Sequence, residues 1–475
     1  MLIAKKHDDD LAEFFKYELA PYPLSMFNDT TGMRKTKKSA VYDMFHPIDL
    51  EENLPSSNDI YVIDGGFLLH RVIWQTNQTY GQICATYVNY VENKIGKNAV
   101  IVFDGYKNDS SIKKAEQHRR YLHSQCVEII FDESMTCTVN QNKFLSNDKN
   151  KIRLISLLTK FLQNKKFVVK QAIDDADTLI VKTAIEMSNN GRTFVVGEDV
   201  DLLVFLIALS PENKDIFLMK PGTGKINRTI FSSSEIEKSY QHIKDTILLV
   251  HAFSGCDTTS SIFQKGKLQI FKLLQKEFRL ANVVKTFNDE NSTQSEVRDA
   301  GETVFLMVYG AKKFRNLSLD SYRFDQFKNS LQKQKSRLEL LPPTSEAAAQ
   351  HSSRVFYQIQ LWLGNNKIPE QWGWKKINGS LQPITTLLQP APESILQLIS
   401  CNCTSDCSSR CGCRKAGLKC SEICRHCQGM QCLNAYMEPI CENLDDSDTD
   451  SVHEHAGKEL EDIFYEADAT DSDFF

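Results

Sequence analysis

Aspartates recur at the ends of apolar runs through the middle of this chain. IYVID ends at Asp64, AVIVFD at Asp104 and TFVVGED at Asp199, with Asp201 two residues further on. Asp175 and Asp177 follow FVVKQA within DDAD, and Asp257 sits in SGCDTTSS after an apolar helical stretch. Carboxylates gathered in a low-dielectric crevice repel one another, so they take up protons or are held together by cations. Oxygen-only ligation favours Mg²⁺ or Mn²⁺ over zinc. Two such ions roughly 4 Å apart can activate a water and stabilise the leaving oxygen in phosphodiester hydrolysis. In D-x-D both carboxylates leave one strand end and approach such an ion pair from the same side. A helix N-cap accounts for any one of these aspartates, Asp175 and Asp199 above all. It does not account for seven at such places. Glu198, between the strand and Asp199, is given a flanking role.

Positioning these acids requires a particular architecture. The runs at 60–64, 99–104, 167–172 and 193–199 are short, apolar and β-branched. Helical periods lie between them, over 67–95, about 148–165 and 175–188. Strands alternating with helices imply an α/β fold with a mainly parallel sheet, and near-continuous apolar strands imply helices on both faces. In open sheets of this kind ligands bind beyond the carboxyl ends of the strands, the edge at which the aspartates would meet. The segment 106–147 is polar, carries KKAEQHRRY (113–121) and reads as an arm above the sheet. Residues 1–58 form a helical or irregular lead-in whose basic run, Arg34-Lys35-Thr36-Lys37-Lys38, is read as solvated surface ahead of a nuclear address. His70 has the spacing of a core position, and Cys256, without a histidine partner in sequence, is read as a buried thiol. A helical extension and linker occupies 281–400, broken at Pro342-Pro343, with Thr344 or Ser345 as the cap of the next helix. Trp372 and Trp374 are read as covering the end of that helical region rather than stacking on bases.

The ordered set IDGG, VFDG, D-A-D, GEDVD and GCD resembles the flap endonuclease family of structure-specific nucleases, within the PIN-like superfamily. That family carries a strand-end Asp, then FDG, an E-A-E pair, an E-D-x-D pair and a G-x-D in a helix–two-turn–helix. The matches are Asp64, Asp104, Asp175 and Asp177, Asp199 and Asp201, and Asp257, spread over roughly 60–275. The resemblance implies a PIN-like domain over 59–280, with 106–147 as its arm, that hydrolyses phosphodiester bonds with two Mg²⁺ or Mn²⁺ ions. Asp64, Asp104, Asp177, Asp199, Asp201 and Asp257 would hold the ions and Asp175 would assist. It also implies that basic arm residues meet the scissile phosphate, which makes Lys113, Lys114, Arg119 and Arg120 candidates. Lys265 and Lys267, in the helix–two-turn–helix-like GCDTTSSIFQKGK, are candidates for the duplex backbone. Two departures stand out: Gln264 and Lys267 replace a glycine and a proline of the family pattern, and about sixty residues precede Asp64 where the family starts near its first strand.

Ten of the 14 cysteines fall between Cys401 and Cys441. Nine of them, Cys401, Cys403, Cys407, Cys411, Cys413, Cys420, Cys424, Cys427 and Cys432, are spaced C-x-C-x3-C-x3-C-x-C-x6-C-x3-C-x2-C-x4-C. In a reducing compartment such a cluster binds metal rather than forming disulfides. The spacing resembles the CXC (tesmin-type) module, in which nine thiolates hold three zinc ions. A unit as small as 401–434 would fold through its metal. Arg410, Arg414, Lys415, Lys419 and Arg425 offset the thiolate charge, and His426 is read as a bystander. DNA-reading CXC modules place a tyrosine where Arg410 stands, so a protein partner is as well supported as DNA for this module.

Composition sets the outer bounds. The 475 residues are 41% hydrophobic and 25% charged, with formal net charge −5, which fits globular domains and does not announce a polyanion partner. The last thirty or so residues are acidic, and 442–475 is expected to be a disordered tail that solubilises or recruits protein partners. No apolar run reaches the ~20 residues of a membrane span, and MLIAKKHDDDLAEFF lacks the build of a secretory signal. The expectation is an intracellular, nuclear rather than cytoplasmic, metal-dependent nuclease, with DNA ahead of RNA as partner and no small-molecule cofactor. The competing reading is a non-catalytic nucleic-acid-binding or chromatin adaptor protein that uses the same fold and the zinc module.

Overall fold

The computed structural model describes residues 8–29, 32–49, 55–56, 58–105, 127–173, 175–222, 227–276, 280–311, 317–332, 337–377, 379–396, 400–404, 406–420, 424–429 and 432–435. Lys113, Lys114, Arg119, Arg120 and the acidic tail lie outside them. Among the described residues no helix is long and apolar enough to cross a membrane.

The main sheet has six strands, β1 (Ile60–Asp64), β2 (Ala99–Phe103), β3 (Val168–Gln171), β4 (Thr193–Val196), β5 (Ile216–Lys220) and β6 (Thr229–Ser232). Their order is β3-β2-β1-β4-β5-β6. All neighbouring pairs are parallel except β5 and β6. The first four strands match the sequence expectation; β5 and β6 do not appear in it, and β6 makes the sheet mixed. The chain runs outward from β1 to β3, then returns to β4 on the other side of β1. The direction of winding therefore reverses between β1 and β4, which is where an open α/β sheet forms its crevice.

Alternation along the strands explains the continuous apolar runs. Val62, Val100, Val102 and Val195 enter the core on one face, while Tyr61, Ile63, Ile101, Phe103, Phe194 and Val196 enter the core on the other. Every residue of β2 is buried. Burial of each such side chain stabilises by about 1.5–3 kcal/mol. Helices α1 (Gly65–Arg71), α2 (Tyr80–Tyr90), α3 (Asp148–Asn164), α4 (Asp177–Met187) and α5 (Val200–Leu209) connect the strands. Gly105, directly after β2, has no room for a side chain: a Cβ there would lie 2.2 Å from the Ile173 carbonyl.

The core continues from α5 into α6 (Ile243–Phe253), α7 (Lys267–Lys276), α8 (Gln294–Val308) and α9 (Ser345–Leu363), so the helical extension packs on the sheet domain as one apolar body. Thr344 caps α9, accepting from the Ala347 N–H at 3.2 Å. Trp372 and Trp374 are buried against this core, and a hairpin of β7 (Trp374–Ile377) and β8 (Ser380–Pro383) closes that end. His70 is exposed, contrary to its reading as core: the stripe buried at this end of α1 is Leu68, Leu69 and Val72, and His70 falls off it.

The lead-in is more than a tether. Residues 20–29 and 32–48 form a strap, irregular but for a 3-10 helix at Lys38–Met44, whose Met26, Phe27, Val41, Met44 and Phe45 are buried in the main core. Hydrogen bonds staple it down: Ser261 N–H to Arg34 O at 2.8 Å, Phe263 N–H to Ser25 O at 2.8 Å, and Ile48 N–H to Ile230 O at 2.9 Å.

A buried histidine joins α9 to the loop after α6. His351 Nε2 lies 3.2 Å from the Phe253 carbonyl and Nδ1 lies 3.1 Å from Ser260 Oγ. The carbonyl only accepts, which assigns the proton to Nε2. Burial, then the nearby Arg354, pushes the His351 pKa down to about 3. The unfolded chain, near 6.5, therefore binds more protons than the native one between pH 3 and 6.5, and stability rises with pH across that window. Acidification from pH 7 toward 4 is expected to remove on the order of 3 kcal/mol through this group. His351→Gln keeps a neutral donor for the Phe253 carbonyl and cannot titrate, and urea titrations from pH 4 to 7 are expected to show a correspondingly flatter slope.

Candidate metal centre at the carboxyl edge of the sheet

The carboxyl edge of the sheet collects the aspartates. Asp64 ends β1 and caps α1, its Oδ1 accepting from Gly66 N–H at 2.8 Å. Asp104 follows β2, and its Oδ1 accepts from the Ala176 N–H at 3.0 Å, which ties the second strand end to the start of α4. Asp199 caps α5, accepting from Asp201 N–H at 3.0 Å. Asp177 opens α4 and is buried, as is Asp201 in the first turn of α5. Asp175, half-buried, precedes α4 but does not cap it; Ala176 holds that position and contributes no side-chain bond. The capping explanation thus holds for Asp64 and Asp199 and fails for Asp175, Asp177 and Asp201.

Oxygens of Asp177, Asp199 and Asp201 lie within 4.8 Å of one another, close enough to share one cation at the roughly 2.0–2.6 Å distances typical of oxygen ligands. Burial, then the charge of Asp104, pushes the Asp64 carboxyl up to about 7 against the N–H groups of Phe67 and Gly66 that accompany it. A divalent ion would reverse that tendency by favouring the charged form. Glu198 is half-exposed, 3.9 Å from Arg71 Nη1, and stays on the flank.

Asp257 reaches the cluster through a lysine. Lys38 of the strap places Nζ 2.6 Å from Asp257 Oδ2 and 3.4 Å from Asp201 Oδ2. Burial disfavours its ammonium, but Asp201, Asp199 and Asp257 outweigh that, and its pKa is raised. Lys35 Nζ donates to the Asp257 carbonyl at 2.9 Å. Arg34 Nε donates to Leu24 O at 2.9 Å. Arg34 and Lys38 of the basic run are therefore drawn into the fold, while Lys35 and Lys37 remain exposed, as the surface reading expects.

Behind Asp201 stands a second group absent from the sequence expectation. His251 of α6 is fully buried, with Nε2 2.9 Å from Asp201 Oδ1. Its pKa is pushed down to about 4 by burial and then by Lys267, so the neutral ring donates to the carboxylate. Lys267 Nζ donates to Gly255 O at 2.5 Å, Ser254 Oγ at 3.0 Å and His251 O at 3.2 Å, and lies 3.4 Å from His251 Nδ1. At 1% exposure Lys267 is withdrawn from any phosphate, which corrects its assignment to nucleic-acid contact. Its ammonium instead satisfies the carbonyls of the turn before Asp257. Gly255 needs φ +103° there, and a Cβ would lie 2.8 Å from the Ser261 backbone. Lys265 remains at the surface, half-buried over the Tyr309 ring at 5.0 Å. Cys256 is buried, its Sγ 3.1 Å from Thr259 Oγ1, as a structural thiol would be.

The cysteine segment forms its own compact cluster. Three tetrads each have sulfurs within 4.8 Å: Cys401, Cys407, Cys411 and Cys420; Cys401, Cys420, Cys424 and Cys427; Cys407, Cys420, Cys427 and Cys432. Cys401 lies 3.7 Å from Cys407 and 3.9 Å from Cys420, and Cys411 lies 3.8 Å from Cys420. A tetrahedral ion with Zn–S bonds of about 2.3 Å has S···S edges of about 3.8 Å. Disulfide sulfurs would stand about 2.05 Å apart, and all nine thiols are free. The sharing of Cys401, Cys407, Cys420 and Cys427 between tetrads is what a polynuclear cluster requires. Cys403 and Cys413 lie outside the tetrads, with Cys413 Sγ 3.5 Å from Cys424 Sγ. His426 is exposed and in no tetrad.

No protein-family model matches this chain. No curated protein matches it either. Among solved structures it is similar to the catalytic core of Rad2 in complex with DNA substrate, at 12% identity and TM-score 0.34, covering 69% of this chain and 98% of that one. It is similar to the T5 D15 protein co-crystallised with metal ions, at 10% identity and TM-score 0.30, covering 64% and 98%. It is also similar to human GEN1 in complex with Holliday junction DNA, at 11% identity and TM-score 0.32, covering 72% and 84%.

Proposed function

We propose that the protein is a divalent-metal-dependent nuclease that hydrolyses phosphodiester bonds of DNA or structured RNA. The observation that carries this reading is the convergence of Asp177, Asp199 and Asp201 within 4.8 Å at the reversal point of the sheet, beside Asp64, Asp104 and Asp175. Three all-oxygen ligands fit Mg²⁺ or Mn²⁺. Bound there, such an ion supplies Lewis acidity and an activated water. The chain's own groups prepare the place: Asp199 is fixed by its cap, Asp201 by His251, and Asp104 by the Ala176 N–H. Lys265 is a candidate for the substrate backbone. The cysteine module is proposed to hold about three zinc ions and to serve as a docking element for DNA or protein. A nuclear location follows only from DNA as the preferred substrate.

The test is cleavage by the purified full-length protein. Labelled flap, hairpin and single-stranded DNA and RNA are incubated with Mg²⁺ or Mn²⁺, with EDTA as control. The reading expects cutting of at least one substrate, abolished by EDTA. Failure to cut any of them, or cutting unaffected by EDTA, contradicts it.

A further inference from the structure

The carboxylate cluster has a resident positive charge of its own. Lys38 Nζ sits 2.6 Å from Asp257 Oδ2 and 3.4 Å from Asp201 Oδ2, on the α6 side of the Asp177–Asp199–Asp201 trio. A second divalent ion on that side would need the same two carboxylates.

The lysine is built in rather than loosely draped. On either side of it, the strap is anchored by the Ser261-to-Arg34 hydrogen bond at 2.8 Å and by buried Val41. Tyr42 Oη donates to Glu198 O at 3.1 Å, and Tyr240 Oη donates to Met44 O at 2.8 Å. Lys35 binds the Asp257 backbone from the same strap. Moving Lys38 out of the cluster by more than a side-chain rotation means peeling buried residues from the core. Charge leads to the same conclusion. An ammonium held between two carboxylates in a partly dry crevice is opposed by any second cation brought within about 4 Å.

The geometry points to a centre that binds one divalent ion at Asp177, Asp199 and Asp201, with the Lys38 ammonium standing in the place of a second. This rests on the reading of the cluster as a cation site. Lys38 then supplies a fixed positive charge and hydrogen-bond donors beside the ion, able to face a phosphate oxygen without metal exchange. It also ties the centre to the strap, a stretch that precedes β1 and lies outside the alternating strands and helices.

Manganese titration of the full-length, zinc-loaded protein tests this, by calorimetry for stoichiometry and by electron paramagnetic resonance for spin coupling. Thiolates are poor partners for Mn²⁺, so the cysteine module does not compete. Lys38→Met keeps the aliphatic stem and removes the charge; Lys38→Gln keeps a polar tip and guards against a packing artefact. The expected result is about one Mn²⁺ with an uncoupled spectrum in the wild type, and about two in both variants with a coupled spectrum. Two coupled ions in the wild type, or one ion in wild type and variants alike, overturns the inference and leaves the cation site standing. No ion in any of the three proteins overturns the cation site and the inference together.

Discussion

Asp199→Asn is expected to leave thermal stability nearly unchanged while lowering metal-dependent cleavage by about 10³-fold or more. The substitution separates two roles that coincide in this residue. As an N-cap, Asp199 accepts from the Asp201 N–H at 3.0 Å, and asparagine caps as well as aspartate does. As a ligand, Asp199 contributes charge and a hard oxygen to the trio with Asp177 and Asp201, and the amide supplies no charge. Asp199→Ala removes both, and is expected to add about 1 kcal/mol of destabilisation to the same loss of activity. If Asp199→Asn cuts as well as the wild type, Asp199 is a cap alone. Asp201→Asn is the harder variant to interpret, because Oδ1 also meets the buried His251. Cleavage rates under single-turnover conditions, beside melting temperatures, make the comparison.

Chelation of zinc is expected to unfold residues 401–434 and leave the sheet domain folded. The module's buried interior among the described residues is chiefly sulfur: Cys401, Cys407, Cys411, Cys413, Cys420 and Cys424. Among the described residues it shows no apolar core to fall back on, so structural zinc, at about 10 kcal/mol or more, is expected to supply its folding energy. The sheet domain has its own two-faced core. Native mass spectrometry is expected to find about three zinc ions per chain. Hydrogen exchange after treatment with a strong chelator is expected to show loss of protection confined to the module. Zinc well short of three ions, or protection unchanged by the chelator, counts against the cluster.

The acid set and the elements that carry it were legible from local pattern. Asp64, Asp104 and Asp199 follow β-branched apolar runs, Asp177 opens an apolar helix and Asp257 follows one, and those patterns fold as they read because both faces of the sheet are covered. What sequence reasoning missed is what sequence separation hides. Lys38 meets Asp201 and Asp257 across 163 and 219 positions, and His251 meets Asp201 across 50. Nothing local marks either residue: Lys38 stands in a basic run whose Lys35 and Lys37 are exposed, and only the folded strap singles it out. Strands β5 and β6 were missed for a different reason. They are as long as the strands that were read, but they flank a polar connection and carry no aspartate at their ends to draw notice.

Lys267 was within reach. It shares the i, i+3, i+4, i+7 stripe with Ile270, Phe271 and Leu274, all buried. That periodicity places the lysine inward, and the charge drew attention away from it. The register also shows what a buried lysine is for here: the carbonyls of the tight turn at Gly255 need a donor, and Lys267 supplies it.

The central claim is that Asp177, Asp199 and Asp201 hold a divalent cation. Anomalous scattering from crystals soaked in Mn²⁺ measures that directly. The account predicts a manganese peak among the three carboxylates, with oxygens at roughly 2.0–2.3 Å, which is lost in Asp199→Asn. An empty cluster at millimolar Mn²⁺, or a peak only at sites remote from these aspartates, would contradict it.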